Sequence, residues 1–557
     1  MKILSFSLLG SQEAPDRLKA SGVTSPGLSK TRRTFRRVAP SNDSVIPDED
    51  RRSGTSFKHK LALFLLTVIT LTSCGDSKNS LSGEQLSQAY CSTCHVFPKP
   101  DLLPKKQWET VLPMMGARLG MPSETFDPFK GKSMEEVFHL QSSNVYPPKP
   151  MLSQEDWTKI QAFFMEHAPD TISHSAPEMK PATDLFLSVY PELGLVGPPL
   201  ITMLEIDPEN KSLYLGDWSG SFIRLNNDFS VDEQSILPQP IIDIDRASDN
   251  SLKLLSIGQL YPNEGRSGAM VEMKEEFFDT QHLMFANLKR PVSFIVVDVD
   301  GDQVDDYVVC NFGNMTGHLS WFKKQGNTYA ETIIRNTPGA TRVYAEDVDE
   351  NGFKDLIVCF GQGEEGVSIF YNNKGEFREK RVLRFPPIYG TNDFEYLDFD
   401  GDGHKDIITS HGDNGDHTQI LKPYHGVRVF LNDGNEQFTE KYFFSFPGAS
   451  KVRCRDFDLD GDTDIILMSF FPDFDKKARQ SLVYLENQSN WQFSAYAIEG
   501  ADEGRWMVMD AGDLDQDGDE DVVIGSFMLR SDGIPEDLVN KWRKGEKKVL
   551  FLENRTR

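Results

Sequence analysis

Two patterns in this 557-residue chain put reactive side chains at set spacings. The first is Cys91-Ser92-Thr93-Cys94-His95, a C-x-x-C-H run. Two thiols one helical turn apart can each form a thioether with a porphyrin vinyl group, and the imidazole that follows can ligate the iron. A chance match or a redox dithiol would carry the same cysteines. The second pattern is Asp-x-Asp-x-(Asp/Asn)-x-x-x-Asp, which occurs five times. The sets are Asp298/Asp300/Asp302/Asp306, Asp347/Asp349/Asn351/Asp355 and Asp398/Asp400/Asp402/Asp406, then Asp456/Asp458/Asp460/Asp464 and Asp513/Asp515/Asp517/Asp521. Side-chain oxygens at positions 1, 3, 5 and 9, with the carbonyl of position 7, form the hard ligand set that Ca²⁺ prefers. Position 6 is Gly352, Gly403, Gly461 and Gly518 in four loops and Gln303 in the first; glycine there permits a tight turn.

The elements around each pattern follow from hydrophobic spacing. A helix over Gly83–Cys94, with Leu86 and Tyr90 four apart, leads into the cysteine motif. Ser153-x-x-Asp156 starts a last helix carrying the stripe Trp157, Ile160 and Phe164, and Leu152 and Trp157 are placed as a hydrophobic staple. Each acidic loop, by contrast, is followed by a β-rich apolar run, such as Leu356–Val358 or Ile465–Leu467. None of these runs has helical period, and the bidentate Glu of an EF-hand at position 12 is absent, so a helix–loop–helix reading fails. The loops recur at roughly 50 to 58 residues, the period of a four-stranded propeller blade. Two further units near 201–226 and 241–273 lack the acidic loop, which makes seven blades. The last unit ends after its third strand, so a strand near 183–190 is expected to close the ring and remove its edges.

These features carry two family resemblances. Terminal helices flanking C-x-x-C-H over roughly residues 80–170 resemble the class I cytochromes c. That resemblance implies one covalent haem c on Cys91 and Cys94, iron ligation by His95, and a sixth ligand beside proline before the last helix, which is Met151 here. Met114, Met115, Met121, His139 and His167 are the rivals; Met115 reads as core packing. The repeats resemble FG-GAP/VCBS units of integrin-like propellers over roughly residues 183–557, implying up to five bound Ca²⁺. The expected fold is thus a small all-α cytochrome c domain (residues 81–175) followed by an all-β seven-bladed propeller (176–557).

Upstream, residues 1–56 are polar and low in complexity, and a misassigned start would account for them. Lys58-His59-Lys60, the short apolar run Leu61–Thr72 and Ser73-Cys74 match a secretory signal. Leu71-Thr72-Ser73-Cys74 resembles the bacterial lipobox, which implies lipidation of Cys74, a tether over 74–80 and a place in the cell envelope on the periplasmic or surface side. With 85 Asp+Glu against 59 Lys+Arg and a net charge of −26, a nucleic-acid partner is not expected.

On the propeller face opposite the acidic loops, the connections lengthen. His411, Asp413, His417 and His425 form the densest polar cluster there, a candidate substrate or metal face, with Arg342, Lys451 and Arg505 at inner-strand starts. Cys310, Cys359 and Cys454 read as buried free thiols. Three functions stand side by side: an electron-transfer protein whose propeller docks a redox partner or a polymer such as a polysaccharide; an oxidoreductase whose loop face passes electrons to the haem; and a calcium-stabilised binding module with a sensory haem.

Overall fold

Burial along the strands explains the architecture. The second strand of each repeat is buried along its whole length, as in Asp306–Asn311, Asp355–Phe360 and Asp464–Ser469. Such strands need sheet partners on both sides and packing on both faces. The outermost strands are far more exposed, Val231–Ile236 being the extreme case.

The computed structural model describes residues 81–557 apart from 176, 275–277, 279, 416–417, 475–479, 529–532 and 557. The leader and Cys74 lie outside these residues. The strands form seven antiparallel four-stranded sheets, and the chain is a seven-bladed β-propeller. Blades 1 to 6 span residues 201–236, 241–288, 291–335, 340–384, 391–445 and 449–497. Blade 7 takes three strands from residues 506–554 and its fourth from Phe186–Val189, which runs antiparallel to Val549–Asn554. The first strands of neighbouring blades pack around the axis. All seven carry a register shift near their start, for example between Thr391 and Asp393. An irregularity there bends the strand and sharpens its twist, and it recurs once per blade. The acidic loops all join first to second strands, so they share one face of the ring.

Residues 81–168 form four helices: α1 (Gly83–Cys91), α2 (Lys105–Arg118), α3 (Met134–Ser142) and α4 (Gln154–His167). Helix α1 ends at Cys91, three residues short of the expected Cys94, with Ser92 as its C-cap. Ser82 and Gln85 cap its start reciprocally, and the Ser153 hydroxyl accepts from the Asp156 amide at 3.1 Å. Gly83 lets α1 and α4 touch: a Cβ there would lie 2.4 Å from the Lys159 carbonyl oxygen. Trp108, Leu112, Trp157, Ile160 and Phe164 form the helical core, with Leu152 beside Trp157 as expected of the staple. Met121, rather than Met115, joins that core; it follows the turn that closes α2, where its amide donates to the Gly116 carbonyl at 2.9 Å. Among the described residues no helix is long and apolar enough to cross a membrane.

The helices dock on the propeller face opposite the acidic loops. Ile388 and Tyr424 belong to the helical core, and the Tyr424 hydroxyl donates to the Leu102 carbonyl at 2.9 Å. Arg118 Nη2 meets Met315 Sδ at 2.7 Å, and the Glu264 amide donates to Glu136 at 3.4 Å. A fifth helix, α5 (Glu536–Arg543), lies within the long connection of blade 7; Val539 and Trp542, three apart, pack it onto Met528.

Removal of residues 180–192 takes away the strand that covers the edge of Val549–Asn554. We expect the truncated protein to aggregate and melt at lower temperature; light scattering and calorimetry check this, and an unchanged monomer would refute the role of the closing strand.

Candidate functional site

Each acidic loop is built by its own carboxylates. The first-position Asp accepts backbone N–H groups four and five residues on. Asp347 takes the Asn351 and Gly352 amides (both 2.9 Å), and Asp456 takes those of Asp460 and Gly461 (both 3.0 Å). The fifth position accepts from the seventh, as Asp402 does from His404 at 2.8 Å. The sixth residue is left-handed in all five loops, with φ of 90°, 91°, 97° and 99° at the glycines and 65° at Gln303. Only the last bears a Cβ in this conformation, which non-glycine residues seldom adopt.

Ligand oxygens then converge. In blades 3, 6 and 7 the side chains of positions 1, 3 and 5 (Asp298/Asp300/Asp302, Asp456/Asp458/Asp460 and Asp513/Asp515/Asp517) each bring an oxygen within 4.8 Å of the others. In blades 4 and 5 the sets are Asp347/Asp349/Asp355 and Asp398/Asp400/Asp406. Burial together with like charge raises the pKa of Asp400, Asp458 and Asp515. Asp398 Oδ1 is buried without a hydrogen-bond partner. Converging carboxylate oxygens of like charge, with a bare buried acceptor among them, fit a hard divalent cation.

The ninth-position Asp has a second task that spacing did not reveal. Asp464 accepts from the Asn487 amide at 2.7 Å, the Tyr484 hydroxyl at 2.7 Å and the Phe457 amide at 3.3 Å. Asp355, Asp406 and Asp521 are held by the amides of Asn372, Asn432 and Asn554 in the same way. Each of these Asn side chains donates back to the carbonyl before the Asp, at 3.0 to 3.2 Å. The Asp–Asn clasp ties the acidic loop to the end of the third strand. Burial first, then neighbouring Asp charge, pushes Asp406 up to about 6 and Asp464 and Asp521 up to about 7.

At the cysteine motif, both thiols are free. Burial, aided by Cys94, pushes Cys91 up to about 11. His95 is half-buried, and its Nδ1 lies 2.9 Å from the Val96 carbonyl. A carbonyl only accepts, so Nδ1 carries the proton and Nε2 keeps its lone pair. Met151 is exposed in the turn before α4, its amide bonded to the Leu119 carbonyl at 2.9 Å. His167 is exposed, with Nδ1 on the Phe163 carbonyl.

The expected loop-face cluster is different in kind. His411 is buried, with its ring nitrogens 3.1 Å from Thr391 Oγ1 and 2.8 Å from Thr409 Oγ1. Asp413 is buried and accepts from the Gly415 amide, and His425 is fully buried. His417 lies outside the described residues. His411, Asp413 and His425 are thus framework rather than an open face, because the helices and adjoining blades cover their connection. Arg505 is buried over the Phe470 ring at 3.9 Å.

Spacing along one blade also missed the charges that meet at the axis. Asp393 faces Arg453 (3.2 Å), Arg342 (3.4 Å) and Lys451 (3.7 Å) from two other blades. Against the effect of burial, these cations hold Asp393 well below the usual carboxylate range. Glu205 is raised well above it by burial, then by Asp510 and Asp243. The available signal was charge at alternate positions of first strands: Asp243/Asp245, Asp393/Glu395 and Arg453/Arg455.

The fold and loops together define a propeller of acidic-loop repeats. Residues 298–358, 347–409 and 456–524 match the FG-GAP-like repeat family, and all five acidic loops fall inside them. No curated protein matches the chain. Among solved structures, it is similar to the WD40 domain of Pan2 from Neurospora crassa, with 11% identity, a TM-score of 0.40, and coverage of 68% of this chain and 97% of that one. A protein from Lactobacillus plantarum is similar at 12% identity and a TM-score of 0.38, covering 60% and 90%.

The raised carboxylates set a pH dependence for the metal-free protein. Their ordinary value is 3.8. A folded-state pKa above that contributes stability in full below about pH 4, which is lost as pH rises through 6 to 7. With chelator present, the melting temperature should therefore fall by several degrees between pH 4 and 7 relative to the calcium-loaded protein. Parallel calorimetric curves with and without EDTA would contradict the cation reading.

Proposed function

We propose that the chain is an exported c-type haem protein that transfers electrons, with a calcium-binding propeller that docks a redox partner or polymer. The observation that carries the haem reading is the state of His95 next to Cys91 and Cys94. Its Nδ1 proton is committed to the Val96 carbonyl, so Nε2 is the free donor, the arrangement that orients an imidazole ligand. A redox dithiol would need a lowered thiol pKa, and Cys91 is instead pushed up to about 11. A haem held by Cys91, Cys94 and His95 supplies one-electron chemistry, and a Met151 thioether would raise its potential.

The protein residues have separable tasks. Cys91, the last residue of α1, packs against the helical core and would fix one attachment point, while exposed Cys94 would provide the other. Helices α1 and α4, in contact through Gly83, hold the motif to the segment that bears Met151. The acidic loops would hold Ca²⁺ through Asp298, Asp300, Asp302 and their counterparts in blades 4 to 7. Secretion, with lipidation at Cys74 and an envelope location, belongs to this reading through the leader. Burial of His411 and His425 favours docking over oxidation of a substrate at the blade-5 connection.

The test is a pyridine haemochrome spectrum of protein produced with an intact haem-attachment pathway. We expect a c-type spectrum, lost in a Cys91→Ser/Cys94→Ser variant, and a lower midpoint potential in Met151→Ala. Wild-type protein without c-type haem would overturn the reading.

A further inference from the structure

Strand register aligns the five acidic blades residue by residue. Tyr307 pairs with Phe322, Leu356 with Phe370, Ile407 with Phe430, Ile465 with Leu485 and Val522 with Leu552. The next residue on each third strand is therefore Lys323, Tyr371, Leu431, Glu486 and Glu553. Blade 3 alone puts a cation there. Its Nζ contacts Asp300 Oδ2 directly and lies 3.1 Å from Asp302 Oδ2. These are positions 3 and 5 of the loop, the carboxylates that converge with Asp298. The ammonium thus stands where a bound ion would have to stand.

The same blade departs from the plan twice more. Lys324 replaces the clasp Asn found at 372, 432, 487 and 554, so Asp306 meets the third strand through the Lys324 amide at 3.3 Å without the return bond that an Asn side chain supplies. Gln303 replaces the glycine of the sixth position and holds a left-handed φ of 65°. In blade 7 a lysine also approaches the loop, but Lys211 Nζ donates to the Asp515 carbonyl at 2.7 Å and leaves the carboxylates free.

We propose that Lys323 is the resident cation of blade 3, so that its loop takes no calcium and the propeller binds four calcium ions rather than five. The proposal rests on the calcium reading of the other four loops. A divalent ion entering blade 3 would have to displace an ammonium already bonded to two of its ligands, and would then sit beside that charge. The loop still has room for more positive charge, since Asp300 Oδ1 and Asp306 Oδ2 are buried without a partner. Removing Lys323 therefore converts the loop into a site. Blades 1 and 2 have no acidic loop, so blades 1 to 3 form a contiguous calcium-independent arc and blades 4 to 7 a calcium-dependent one.

The full chain is dialysed against calcium, and bound metal is counted by elemental mass spectrometry. We expect four ions per chain in the wild type, five in Lys323→Met and four in Lys323→Arg. Hydrogen exchange of the wild type, with and without EDTA, is the second measurement, and it does not depend on a variant folding. Chelation should speed exchange at the loops of blades 4 to 7 and leave residues 298–306 unchanged. Five ions in the wild type, four in folded Lys323→Met, or chelator-sensitive exchange at 298–306 would each overturn the proposal while leaving the calcium reading intact. A wild type that binds no calcium overturns both.

Discussion

The pairing of Phe186–Val189 with Val549–Asn554 ties the beginning of the propeller to its end. Without it, blade 7 would have three strands and an open row of amides and carbonyls. Every other feature of the ring presupposes this closure. The seven first strands meet at the axis because each blade wedges its neighbour, and the charges on them face one another for the same reason. Closure by an early strand also means that the last blade is complete only when both ends of the propeller have come together. Phe186 adds to the bond, packing against Phe457 and Tyr484 of blade 6 at centroid distances of 5.7 and 5.5 Å.

Closure concentrates charge in two places. At the axis, anions and cations come from different blades and neutralise each other, with Asp393 held by three cations. In the acidic loops, carboxylates of one short segment gather with little internal compensation, and burial raises the pKa of the ninth-position Asp in each loop. Local sequence builds these loops: first- and fifth-position oxygens take the amides of the same turn. The chain stores negative charge where a divalent cation would relieve it, and blade 3 shows a second solution in which a lysine from the neighbouring strand supplies the positive charge. A net charge of −26 is thus only partly a property of the solvated surface.

The helical segment and the propeller share a core cluster, not just a tether. Ile388 and Tyr424 are buried among Trp108, Trp157 and Phe164, and the Tyr389 ring stacks on that of Tyr424 at 4.9 Å. The helices that carry the cysteine motif therefore pack directly on the face opposite the acidic loops. The two chemistries of the chain, thiol–imidazole and carboxylate, are carried on opposite sides of one ring.

The sequence by itself determined whatever rests on short-range spacing. It marked the C-x-x-C-H run, the five acidic loops, the period of a blade, the number of blades and the need for a closing strand. These are legible because a turn, a cap or a strand alternation involves residues only a few positions apart. Only the tertiary structure decided what lies across blades. It brought Lys323 onto Asp300 and Asp302, set Arg453 against Asp393, and buried His411 and His425, which sequence position alone suggested were exposed. The clasp from Asn487 to Asp464 shows the boundary well. Both residues stand out in the sequence, but their bond depends on the register of two strands and on a buried site that leaves the carboxylate no water to bind.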